Sequence, residues 1–195
     1  MDFEKIVNVA LAEGATEAKV IDTKDVVVDK RVRMKCEIPL CSGFNNYLMC
    51  PPNVMPVEEF EDILRLYKKA LIIQVEGDAN TLEKSGKGLN KEMYKEMAAL
   101  HTKAKTKLHN IVNKVEAEAF KAGHYLATGL VGGRCVLCKD CVLSTGSRQC
   151  RNPHKARPSL ESVGIDVQKT CANVGLKMRL SSSENARWTG LVLLD

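Results

Sequence analysis

The sequence predicts an α+β fold, or a layered α/β fold, in which helices flank a mixed sheet and two cysteine-rich loops bind metal. Three observations support this prediction: helical and strand-like segments alternate, short apolar runs have the length of buried strands, and the cysteines gather in two loop-like stretches. The 195 residues suit a single domain with its own core. We expect the cysteine loops at about residues 31–56 and 132–165.

The first part of the chain contains two helical and three strand-like patterns. Apolar side chains recur on one helical face over residues 2–13 and again over 57–70. Strand-forming residues dominate the stretches 18–22, 25–29 and 71–75. These patterns predict two amphipathic helices and three strands, the last of which is buried.

One long helical pattern dominates the second part. No proline or glycine interrupts the chain between Asn90 and Gly123, which predicts a single helix that ends at that glycine. The other predicted elements are a loop at 77–90, a strand at 124–131, a short helix at 166–174 and strands at 176–180 and 188–194.

Composition and charge narrow the class of protein. Apolar residues make up 45% and charged residues 27%, as in an ordinary globular protein. The net charge of +5 is mild and aromatic residues are scarce at 5%, which argues against nucleic-acid binding. The start of the chain has no basic signal-peptide region, and no apolar stretch approaches the roughly eighteen residues of a membrane helix. We therefore expect a cytoplasmic protein without nucleic-acid or membrane partners.

The strongest chemical signal is the second cysteine group. Cys135, Cys138 and Cys141 are spaced three residues apart, and Cys150 follows near Pro153. A reducing cytoplasm keeps thiols out of disulfides, so clustered cysteines indicate metal binding. Bacterial ferredoxins use a similar run, with a further cysteine near a proline, to hold an iron–sulfur cluster. This group is therefore predicted to hold a 4Fe–4S cluster.

Two further features bear on this site. Gly132 and Gly133 precede the run, and we expect their backbone to approach the sulfurs and donate N–H groups to them. The alternative is a structural zinc site, because four thiolates within sixteen residues can also close a tetrahedron. Zinc prefers two separated Cys-x-x-Cys pairs, so the triplet favours iron–sulfur.

The first cysteine group consists of Cys36, Cys41 and Cys50, the last of which precedes Pro51-Pro52. Its spacing is looser, and three buried structural thiols are the alternative. Loop-forming serine, glycine and asparagine residues surround the group, which favours metal ligands and allows a second cluster. Cys171 lies at helical spacing from apolar neighbours, which predicts a core thiol, with an eighth ligand as the alternative.

Several charged residues near the cysteines are open to two interpretations. The basic residues around the second group either form a rim that docks an acidic redox partner or a small anionic ligand, or belong to a solvated loop. They are Arg134, Arg148, Arg151, His154, Lys155 and Arg157. His101 and His109 are predicted to be solvated on the long helix, and His124 is a minor ligand candidate.

Together these motifs resemble a known family. The segments that carry the resemblance are Arg31-Val-Arg-Met-Lys-Cys36-Glu-Ile-Pro-Leu-Cys41, Cys50-Pro-Pro, Gly132-Gly-Arg-Cys135 with Cys138 and Cys141, and the tail from Cys150 through Arg157 to Asp166. The sequence is similar from about residue 30 onward to predicted metal-binding proteins that form a domain of unknown function and occur mainly in anaerobic bacteria and archaea. The resemblance implies a metal role for the seven cysteines of the two groups and brings no established reaction.

Three functions are consistent with these observations. The first is an electron-transfer or redox-accessory protein with one or two 4Fe–4S clusters. The second is an enzyme whose three-cysteine cluster leaves one iron free as a Lewis acid. The third is a structural metal protein that holds zinc or a cluster.

Overall fold

One antiparallel sheet organises the chain, with helices and loops packed on both of its faces. The structure, a computed structural model, describes residues 3–38, 41–77, 91–178 and 186–195. Four strands in this part of the chain lie in the order β1-β2-β4-β3. They are β1 (Glu17–Asp22), β2 (Lys69–Glu76), β3 (Thr128–Leu130) and β4 (Arg187–Leu194).

The predicted α+β class is confirmed, but the sheet is not mixed. All three ladders between neighbouring strands are antiparallel. Among the described residues, the one parallel pairing is the isolated bridge between Val131 and Ser159. Hydrophobic alternation specifies which side chains are buried and says nothing about strand direction, so the sequence could not distinguish the two sheet types.

Five α-helices occur in the described residues. They are α1 (Phe3–Ala12), α2 (Lys30–Glu37), α3 (Val57–Leu64), α4 (Lys91–Lys121) and α5 (Val167–Asn173). Short 3₁₀ turns lie between these elements at Thr23–Asp25, Val142–Thr145 and Glu161–Val163. The long helix predicted up to Gly123 is therefore confirmed as α4, which spans 31 residues.

Both faces of the sheet are buried, which explains the uninterrupted apolar run of β2. Leu71 and Ile73 point into a core shared with α1 and α4. Ala70 and Ile72 point into the opposite core, which is shared with α3, α5 and the segment around Leu160. A strand covered on both faces needs apolar residues at every position.

Some sequence predictions differ from the structure. The stretch 25–29 is not a strand, because the chain turns at Thr23–Asp25 and only Val28 forms an isolated bridge, to Ile165. Residues 176–178 also lie outside any strand. Residues 179–180, and residues 78–90 of the loop predicted at 77–90, fall outside the described residues. Within the described ranges, no helix has both the length and the apolar character needed to span a bilayer.

Candidate metal centre

The second cysteine group lies in the loop after β3 and surrounds one cavity. The cavity is small, with about 20 Å³ available to the centre of a water-sized sphere. Its lining includes all four thiols of the group, each of them half-buried: Cys135, Cys138, Cys141 and Cys150. The fold thus brings the four cysteines of this group to a single space.

Part of the cavity wall comes from the first cysteine loop. Tyr47, Leu48 and Met49 line the cavity together with Leu137 and Val142 from the second loop. These mostly apolar side chains shield part of the sulfurs from water and lower the local dielectric constant, which strengthens hydrogen bonds to them. The two cysteine segments therefore form one combined site.

Asn152 contacts two thiols of the second group. Its backbone N–H donates to Cys150 Sγ at 3.3 Å, and its side-chain Nδ2 donates to Cys138 Sγ at 3.3 Å. N–H donors of this kind stabilise anionic thiolates and tune the centre that they hold. The sequence-based reasoning missed Asn152. The signal that could have revealed it is an asparagine placed two residues after a candidate ligand.

The predicted donor role of the two glycines is not what the structure shows. The N–H of Gly133 donates to Glu161 Oε2 at 3.2 Å and not to a sulfur. Gly132 lies against β4, where a Cβ would come within 2.7 Å of the carbonyl oxygen of Thr189. Because these glycines have no side chain, the start of the loop can pack closely against the sheet. The N–H donors to the sulfurs come from Asn152 instead.

Two of the three thiols in the first cysteine group are buried. The prediction placed Cys36 in a loop, but the residue lies near the end of α2, because Lys30–Glu37 is helical. Burial raises the pKa of the Cys36 thiol to about 11 and that of Cys50 to about 12, and the neighbouring Cys41 adds to both shifts. Cys41 is exposed. Cys135 also contributes to the raised pKa of Cys50, so the two cysteine groups are neighbours.

Two features position this group. Arg33 tethers α2 to its surroundings by donating from Nη1 to the carbonyl oxygen of Ser162 at 2.9 Å and to that of Met55 at 3.3 Å. Gly43 is buried between sulfurs, since a Cβ on it would lie 3.2 Å from Cys50 Sγ and 3.4 Å from Cys41 Sγ. A larger residue than glycine would fill the space that these two thiols share.

The basic residues around the second group play different roles. Arg157 forms a largely buried ion pair with Glu116 of α4, with Nε–Oε2 and Nη2–Oε1 distances of 2.7 and 2.5 Å. Glu116 Oε2 also accepts the backbone N–H of Gly129 at 2.6 Å, which ties the loop to β3. Arg151 lines the cavity and donates to the carbonyl oxygen of Asp140 at 2.9 Å. Arg157 is therefore a structural residue, whereas Arg148 and Lys155 are exposed.

Two histidines, His109 on α4 and His124 after it, are buried. His109 is 1% exposed, so its predicted solvated position is wrong. Its Nε2 lies 2.7 Å from the carbonyl oxygen of Lys155, to which Asn113 also donates at 3.1 Å. His124 is buried, and its Nδ1 lies 2.7 Å from the carbonyl oxygen of Asp195.

Cys171 belongs to the core, as predicted. Its side chain is 0% exposed and packs in the cluster between the sheet and α5. Its sulfur accepts a long hydrogen bond of 3.5 Å from Gln74 Nε2. This thiol lies among apolar side chains, apart from the two cysteine groups.

The donor set suits a thiolate-bound centre. Within the described ranges, no three His, Cys, Asp or Glu side chains already form a group that could hold a metal ion. All eight cysteines are free thiols, and four of them share a cavity supplied with N–H donors. Soft thiolates favour iron–sulfur clusters, zinc or copper(I), and an anionic centre needs such donors.

Fold and site together define an α+β protein with a thiol-lined centre built from two cysteine segments. The family model described as predicted metal-binding protein (DUF2284) matches residues 19–194, and the chain belongs to this family. No curated protein and no solved structure matches the chain.

Proposed function

We propose that the chain binds a 4Fe–4S cluster through Cys135, Cys138, Cys141 and Cys150 and serves in electron transfer. The observation that carries this proposal is the cavity that all four thiols line, into which Asn152 directs N–H groups at two of the sulfurs. Ferredoxin-type clusters are held by such a cysteine run and by hydrogen bonds to sulfur. When bound, the cluster supplies one-electron redox chemistry.

Zinc is the competing metal. A single zinc ion takes four thiolates at about 2.3 Å and leaves little space between them. The spacing of the cysteine triplet favours the cluster, because ferredoxins use such a run to hold one.

The electron-transfer role follows from the surroundings of the cavity. The thiols are half-buried, so a bound centre would lie near the surface, where a partner can approach. Arg148, Arg151, His154 and Lys155 are all exposed around the same loop. A positive rim of this kind would steer an acidic redox partner toward the centre.

The test is anaerobic purification followed by iron, sulfide and zinc analysis. We expect about four iron and about four sulfide per chain for one cluster, or about eight of each for two. Cys138→Ser should remove one cluster's share of iron, because the cage loses a ligand. Cys171→Ser is the matched control and should retain all iron, since this thiol lies in the apolar core. Stoichiometric zinc without sulfide would contradict the proposal and favour a structural metal protein.

The first cysteine group supports a second candidate function. It offers three thiols, Cys36, Cys41 and Cys50, where a closed cubane cluster needs four protein ligands. A centre held there would have a position free for a small molecule, as an enzyme that uses a metal Lewis acid requires.

A further inference from the structure

Two cations lie beside the first cysteine group, each held against an aromatic ring. Lys105 of α4 is partly buried, with Nζ 4.2 Å from the centroid of the Trp188 ring. The guanidinium carbon of Arg134 lies 4.8 Å from the centroid of the Tyr47 ring, and Arg134 donates to the Tyr47 hydroxyl. Cation–π contacts of this kind fix a flexible cationic side chain in one position.

Two glycines connect the surroundings of Lys105 and Arg134 with the thiols of the first group. A Cβ on Gly43 would lie 3.2 Å from Cys50 Sγ and 3.7 Å from Arg134 Cβ. A Cβ on Gly133, the residue before Arg134, would lie 3.4 Å from Lys105 Nζ. The start of the Arg134 side chain therefore lies beside the first group, and Lys105 Nζ lies beside the residue before Arg134. The charge of Arg134 also acts on Lys105, so the two cations are near each other.

Among the residues that the structure describes, Lys105 and Arg134 form no ion pair. Glu161 is the nearby carboxylate, and its Oε2 accepts the N–H of Gly133. Burial and the charge of Arg134 both lower the pKa of Lys105, as expected for two like charges that share a site. Two fixed cations with one shared carboxylate leave excess positive charge at this position.

We propose that Lys105 and Arg134 bind a small anionic ligand, of the carboxylate or oxyanion class, beside Cys36, Cys41 and Cys50. Arginine offers a planar pair of N–H donors that matches a carboxylate or phosphate edge, and lysine adds a compact point charge. Because the aromatic rings already order both side chains, little conformational entropy remains to be lost on binding. The ligand's role as a substrate at a metal centre rests on the proposed function, whereas its binding to the two cations does not.

The sole tryptophan of the chain provides the measurement. Trp188 lies under the Lys105 ammonium, so an anion bound there should change its fluorescence. Inorganic phosphate and acetate are titrated separately into the full chain, as metal-free and as iron-loaded protein, with sodium chloride at matched ionic strength as the salt control. Calorimetry on the same samples gives an independent dissociation constant.

The variants separate a built site from general charge effects. Lys105→Met and Arg134→Met should each weaken binding about tenfold or more, the usual effect of losing one charge-assisted hydrogen bond. Lys105→Arg should largely restore it. Lys103→Met removes the same charge from an exposed position on α4 and should bind like wild type.

The outcomes are distinct. A saturable response to phosphate or acetate that follows this order of variants supports the proposal. The proposal is overturned by the absence of a saturable response, by an equal response to chloride, or by an unchanged dissociation constant in Lys105→Met. Iron content measured on every sample keeps the two proposals separate, because iron can be bound without an anion and an anion without iron.

Discussion

Asn152 gives two N–H groups to the second cysteine group, one from its backbone and one from its side chain. A single residue thereby connects Cys150 with Cys138, which are twelve positions apart in the sequence. Donors to sulfur stabilise the more negative, reduced form of a cluster more than the oxidised form. In the proposed cluster, Asn152 should therefore act as a positioning residue that sets the reduction potential.

Replacing Asn152 with alanine tests this role. Asn152→Ala removes the side-chain donor to Cys138 and keeps the backbone donor to Cys150, so the midpoint potential of the reconstituted cluster should fall. An electrochemical titration followed by electron paramagnetic resonance measures the shift. Gln149→Ala, which removes an exposed amide from the same loop, is the control. An unchanged or raised potential in Asn152→Ala would refute the role.

The sequence predicted the gathering of the thiols better than the contacts around them. Cysteine spacing is a direct signal, because several soft ligands in a short loop have few other uses. The amide donor of Asn152 has no comparable spacing rule. Gly133 was expected to donate to a sulfur, but its N–H donates to Glu161, a residue far along the chain that a local pattern could not indicate.

At the scale of elements, helix α4 is the support on which the second cysteine loop rests. His109 and Asn113 both contact the carbonyl oxygen of Lys155, and Glu116 pairs with Arg157. These residues are three or four positions apart, so they share one face of the helix. The face binds the chain segment that follows Cys150.

This arrangement predicts a pH dependence of stability. Burial lowers the pKa of His109 from its ordinary 6.5, and the charge of Arg157 adds to this effect against the opposing hydrogen bond to Lys155. Below about pH 6.5 the unfolded chain binds a proton that the folded chain does not yet bind. The free energy of unfolding should therefore fall with decreasing pH there, by at most about 1.4 kcal/mol per pH unit for this one group.

Urea denaturation between pH 8 and pH 5 measures the effect. His109→Gln keeps an N–H donor for the carbonyl of Lys155 but does not titrate, so its stability should vary less with pH in this range. His154→Gln, which replaces an exposed histidine, should follow the wild-type profile. Parallel profiles for His109→Gln and wild type would show that His109 is not the titrating group.

Helix α4 also shows where sequence patterns stop being informative. The absence of glycine and proline predicted its length, but the lysines around His109 suggested a solvated face. His109 follows the fully buried Leu108, and it is buried because the cysteine loop covers it. A periodicity of apolar residues reports packing against the sheet and cannot reveal a loop that returns over the helix's flank.

At the scale of the whole molecule, the core and the candidate metal site are separate. The two apolar clusters on the faces of the sheet account for most buried side chains, and of the eight cysteines only Cys171 belongs to them. A core of this kind does not need a metal in order to form. A bound centre would add stability to the loops by binding only the folded state.

Removal of metal should therefore leave the fold intact. Chelation of the iron-loaded protein is expected to preserve the far-ultraviolet circular dichroism spectrum, which α4 dominates, while the melting temperature falls. Limited proteolysis should cut the segment 132–157 faster once the metal is gone. A coil-like spectrum after chelation would show that the metal is required for the fold.

The strand order has a consequence for biosynthesis. Strand β4 is the last of the four to leave the ribosome, yet it lies between β2 and β3. Strand β3 has β4 as its ladder partner, so the second cysteine loop is translated before the strand that fixes its base exists. During that interval Cys135 to Cys150 are carried on an unanchored segment, open to oxidation or to the wrong metal. We expect the proposed cofactor either to be delivered with protection of this nascent segment or to be inserted only after β4 has joined the sheet.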